Sequence, residues 1–129
     1  MHRLPVPALS RRVRYAGVLA VAVFIAYYSL TGTPPGARSG GPLWDKYLHF
    51  VAYAGLGATI AYATLNRPLA ERVVLVLAMA GLYGVAIELT QGVLPSRYFS
   101  IGDMTANVLG AALSLTWLLI ERRIRYVSV

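Results

Sequence analysis

Four apolar stretches set the limits on what this chain can fold into. They read roughly Tyr15 to Leu30, Leu48 to Leu65, Val73 to Val93 and Ile101 to Ile120. A membrane-spanning helix needs about 20 mostly apolar residues, and spans slightly shorter than that are absorbed by a thin bilayer or by flanking residues. The connections are short: "TGTPPGARSGGPLW", "NRPLAE" and "LPSRYFS". Proline and glycine mark the first of them as a loop. The pattern predicts an all-α, transmembrane four-helix bundle, a single domain over residues 1–129. The first stretch follows a basic segment, as a signal peptide would. Its apolar run is long for one, and no small-x-small site precedes the proline pair, so it is read as a retained span.

Charge fixes the expected orientation. Charged residues make up 13% of the chain, against roughly 25% in soluble domains, and they gather at the ends of the apolar runs. Arg3, Arg11, Arg12, Arg14, Arg67, Arg72, Arg122, Arg123 and Arg125 fall on one side of the predicted bundle. Arg38, Lys46 and Arg97 fall on the other. Nine against three predicts both termini in the cytoplasm and the first and third connections outside. The net charge of +7 is then topogenic, and with no basic helix face or aromatic platform no nucleic-acid partner is expected. The chain has no cysteine, which rules out disulfides and thiolate chemistry. Tyrosines and tryptophans near the span ends, among them Tyr15, Tyr27, Tyr47, Trp44, Trp117 and Tyr126, read as an interfacial belt.

The polar residues inside the spans are the candidate site. Asp45 and His49 are four apart, Glu88 and Gln91 three, and Asp103 and Asn107 four, so each pair shares a helix face. Lys46 stands beside the first pair, and Arg97 lies in the third connection. All belong to the outer third of the bundle, and no counterpart is expected in the cytoplasmic half. Small residues continue the same faces: Gly57 and Ala61; Ala80 and Gly84; Gly102, Ala106, Gly110 and Ser114. Such spacing lets membrane helices approach closely and turns these faces inward. Ser100 and Asp103 resemble a capping box for the fourth helix.

These residues carry a family resemblance. "WDKYLHFVAYAGLG" followed by "YGVAIELTQGVLPSRYFSIGDMTANVLGAALS" resembles the VanZ-like family of small membrane proteins, over about residues 43–118. The matching positions are Asp45, Lys46, His49, Glu88, Gln91, Arg97, Asp103 and Asn107. The family takes its name from a member linked to low-level teicoplanin resistance. The resemblance therefore implies a plasma-membrane, cell-envelope protein.

Ionisable groups within spans are functional candidates by default. The reading adopted is an outward-facing pocket of those eight residues that binds an anionic lipid-linked or peptidoglycan-type ligand, with Lys46 and Arg97 holding its phosphate or carboxylate. One alternative is a membrane enzyme acting on such a ligand, with His49 or Glu88 moving the proton. The other is a structural protein whose polar cluster only locks helix packing. No cofactor is expected. His49, Glu88 and Asp103 could supply one nitrogen and two carboxylates to a metal, but no short metal motif such as His-x-x-x-His is present, so no metal is expected either.

Overall fold

The computed structural model describes residues 3–31, 37–93 and 101–128, with the backbone alone at 37–42 and 45. Four principal helices run α1 (Arg11–Leu30), α2 (Ala37–Ala63), α3 (Leu69–Val93) and α4 (Ile101–Ser114). A short α5 (Thr116–Ile120) and one 3₁₀ turn (Glu121–Arg123) follow. Among the described residues, three segments are long and apolar enough to cross a membrane: α1, α3 and the run Ile101–Arg123. Their length and apolar composition are consistent with a membrane protein. The 27-residue α2 is not among them. It carries Asp45, Lys46 and His49 in place of apolar residues.

Local chemistry moves several expected boundaries. α2 starts at Ala37, well inside the Pro/Gly-rich stretch expected to be a loop. Propensity is a weak prior, and Pro42, the sixth residue of the helix, removes one backbone hydrogen bond. α3 starts directly after Pro68, whose carbonyl accepts from Arg72 N at 3.1 Å. The fourth span is interrupted at Leu115, where the backbone bonds shorten to three-residue closures, Leu115 to Ala112 and Leu118 to Leu115.

The four helices enclose a small-residue and aliphatic core that includes Tyr53, Leu56, Ile60, Ala61, Val76, Ala80 and Ala111. The glycine faces pack as the spacing predicts. A Cβ on Gly110 would collide with the Phe50 carbonyl oxygen and stand 3.0 Å from Ala54 N. One on Gly57 would collide with Ser114 Oγ, and one on Gly84 would stand 3.3 Å from the Asn107 side chain. α2 and α4 therefore meet backbone to backbone.

The termini add an element that the apolar pattern does not contain. β1 (Leu4–Ala8) pairs in parallel with β2 (Ile124–Ser128), Leu4 opposite Ile124 and Ala8 opposite Ser128. β1 reads LPVPA, and a two-stranded ladder has only edges, so Pro5 and Pro7 can turn their missing N–H groups outward. Both termini thus lie at one end of the bundle.

That end also corrects the expectation of no polar counterpart there. Arg14 is buried on α1. It donates to the Ala63 carbonyl at 2.9 Å, to Tyr62 O at 3.3 Å and to Leu9 O at 3.0 Å. Arg72, buried on α3, donates to Ala61 O at 2.6 Å and grips Glu121 through two bonds of 2.5 and 2.8 Å. The last carbonyls of α2 have no partners within their own helix, and a cation there also suits the helix dipole. The Tyr62 hydroxyl accepts from Leu9 N and donates to Pro7 O, which ties α2 to β1. Trp117 and Tyr126, expected in an interfacial belt, are bonded to each other: Trp117 Nε1 donates to the Tyr126 hydroxyl, which donates to Glu121 at 2.5 Å. Burial first, then the Glu121 carboxylate, raise the Tyr126 phenol above its ordinary pKa.

Removing one partner of a buried ion pair leaves the other charge uncompensated. Glu121→Ala should cost about 3–5 kcal/mol of stability. Glu71→Ala breaks only the exposed Arg67–Glu71 pair and should change stability by no more than about 1 kcal/mol. Unfolding of the two variants in detergent, followed by circular dichroism, checks the contrast.

Candidate functional site

At the opposite end, three helices bring polar side chains to one point. α2 contributes Lys46 and His49, α3 contributes Glu88, and α4 contributes Asp103 and Asn107. The four-residue steps from His49 to Tyr53 and from Asp103 to Asn107 stack each pair on an inward face. The close α2–α4 contact at Gly110 lies one turn beyond Asn107, so it brings His49 within reach of α4.

Asp103 divides its two oxygens. Oδ1 pairs with Lys46 Nζ at 3.2 Å, and Oδ2 lies 3.6 Å from His49 Nε2. The other ring nitrogen, His49 Nδ1, lies 2.9 Å from Asn107 Oδ1. An amide oxygen only accepts, so Nδ1 carries a proton and Nε2 faces Asp103. Glu88 is fully buried beside them. One ligand atom each from His49, Glu88 and Asp103 lies within 4.8 Å of the other two. These three residues are up to 54 positions apart in the chain, so no short motif could announce their meeting.

Of the eight expected site residues, the structure joins Lys46, His49, Glu88, Asp103 and Asn107. Gln91 is buried one turn beyond Glu88, and its Nε2 donates to Ser29 O at 2.7 Å. That bond ties α3 to the last turn of α1, so Gln91 does a packing task. Tyr83 makes a second tie of this kind, donating to Ala22 O. The Asp45 side chain and all of Arg97 lie outside the described residues, as does Ser100 of the expected capping box. Sequence reasoning passed over Tyr53, a 1% exposed residue whose hydroxyl has no hydrogen-bond partner among the described residues. Its place four residues after His49 was the available signal.

The arrangement has the means to hold an anion at its rim or a cation at its floor. Lys46 is the accessible cation, its side chain 43% exposed, while the Asp103 side chain is 10% exposed. Below it lie an oriented imidazole and two carboxylates.

Among family models, that of VanZ/LLP1 matches residues 10–121. Comparison with curated proteins and with solved structures returned no match.

Proposed function

The chain belongs to the VanZ/LLP1 family, and from that premise we propose that it is a four-span protein of the bacterial plasma membrane whose polar cluster faces outward and binds an anionic lipid-linked or cell-wall-type ligand, contributing to resistance to teicoplanin-type glycopeptides. α2 is the fourth span. At ~1.5 Å per residue its 27 residues measure about 40 Å, enough for a hydrocarbon core of about 30 Å. Its Lys46 and His49 meet Asp103 and Asn107 of α4, and polar groups paired within a bundle are tolerated in a membrane.

Both termini are cytoplasmic in this reading. Arg14 and Arg72 are committed to the end of α2. Without them the topogenic count is still seven against three, in the same direction. The polar cluster then opens toward the cell wall.

The observation that carries the ligand is Lys46, an accessible ammonium at the rim of an otherwise buried polar floor. A phosphate or carboxylate there gains a charge-assisted bond. Arg97, on the adjoining connection, is the second cation. The reading of the cluster as a packing lock draws its support from the ties Lys46–Asp103, His49–Asn107 and Gln91–Ser29, which join neighbouring helices. Interhelical bonds in membranes average only about 0.6 kcal/mol each, little return for so many buried polar groups.

Two experiments test this. Reporter fusions after Arg38 and after Arg97 should be active outside the cytoplasm, and one after Arg67 should not; a cytoplasmic signal from either of the first two overturns the orientation. Glu88→Gln and Arg97→Ala should leave folded protein in the membrane and raise teicoplanin susceptibility in the same cells. Folded protein lost in step with the phenotype would establish the lock. Turnover of a lipid-linked substrate that falls about 10²–10⁴-fold in His49→Ala, with ligand binding retained, would establish an enzyme.

A further inference from the structure

We propose that His49, Glu88 and Asp103 bind one divalent transition-metal ion at the junction of α2, α3 and α4. The ligand set is one imidazole nitrogen and two carboxylates, chemistry that suits Mn²⁺, Fe²⁺ or Zn²⁺. Their ligand atoms already lie within 4.8 Å of one another. Neighbouring ligands of a tetrahedral ion held at about 2.0–2.2 Å stand roughly 3.3–3.6 Å apart, so loading requires a closure of up to about 1.5 Å.

The histidine is prepared for this role. Asn107 takes the Nδ1 proton at 2.9 Å and thereby fixes both the tautomer and the ring plane. Ligating histidines are held in this way by an acceptor on the nitrogen away from the metal. The other ring nitrogen, Nε2, faces Asp103 Oδ2 at 3.6 Å. Glu88 adds a second carboxylate to the same buried volume, where like charges repel strongly.

A separate observation points to something bound. The Tyr53 hydroxyl and Asn107 Nδ2 are both buried, each in a residue 1% exposed, and neither has a hydrogen-bond partner among the described residues. Both side chains approach Gly84, one turn before Glu88 on α3, and Tyr53 is close enough to Glu88 to interact with its charge. An orphaned buried donor is costly. Three protein ligands leave coordination positions open, and water or anion oxygens there would accept from these donors.

The ion also accounts for how an acidic floor receives an anion: it supplies the positive charge beneath Lys46. The inference rests on reading the cluster as a binding site, and titrating the metal alone separates its failure from that of the anion reading. The test uses the full chain in detergent with its affinity tag removed. His2, the chain's other histidine, is replaced by alanine, and the protein is stripped by chelator. Mn²⁺ and Zn²⁺ are titrated separately by equilibrium dialysis. One ion per chain is expected, with affinity reduced at least about 10-fold in Glu88→Gln and in Asp103→Asn. The electron spin echo of bound Mn²⁺ should show coupling to an imidazole nitrogen, which depends on no variant folding. Absence of saturable binding by folded protein for both ions overturns the proposal, as does bound Mn²⁺ without nitrogen coupling, or affinity unchanged in both variants.

Discussion

The contact between Gly110 and the backbone of Phe50 is what the polar site depends on. With no side chain at Gly110, α4 rests directly on the main chain of α2. Phe50 follows His49, and Gly110 lies three residues after Asn107. The backbone contact therefore brings the imidazole of one helix within hydrogen-bonding distance of the amide of the other. Gly57 against the Ser114 side chain continues the close contact four residues further along α4. Lipid supplies little hydrophobic drive between helices, so close packing of small residues has to do that work. Polar groups held between two helices in this way satisfy each other instead of facing hydrocarbon.

The bundle is closed differently at its two ends. At the terminal end, Arg14 and Arg72 saturate the last carbonyls of α2, Glu121 neutralises Arg72, and the β1–β2 ladder joins the two ends of the chain. Their donors and acceptors are largely consumed by structure. At the other end Lys46, its side chain half-exposed, pairs with Asp103, and Tyr53 and Asn107 keep buried donors with no hydrogen-bond partner among the described residues.

Much of the site was legible in the sequence because helical periodicity needs no tertiary knowledge. Asp103 and Asn107, four apart, had to share a face, and the small residues of the fourth apolar run marked that face as buried. Convergence of His49 with them followed once α2 and α4 were neighbours. Other features depend on partners far away in the chain. The arginines at 14 and 72 count as topogenic charge until their carbonyl partners, 49 and 11 residues away, are known. Gln91 looked like a site residue, but the Ser29 carbonyl that takes its amide belongs to a helix with no signature beyond being apolar. The start of α2 was obscured by glycine and proline, which locally favour a loop. β1 contains two prolines and only a parallel partner 120 residues on, which no local pattern reveals.

The α2–α4 register can be measured in native membranes, because the chain has no cysteine of its own. A Cβ on Gly57 would stand 2.8 Å from that of Ser114, and a disulfide spans about 4 Å between Cβ atoms, so the two helices need to part by only about 1 Å. Oxidation of the double variant Gly57→Cys/Ser114→Cys should link the two positions in high yield. Gly57→Cys paired with Leu113→Cys, whose side chain is exposed on the far face of α4, should remain reduced. No link at 57–114, or equal linking at 57–113, would contradict the packing that brings His49 to Asp103 and Asn107.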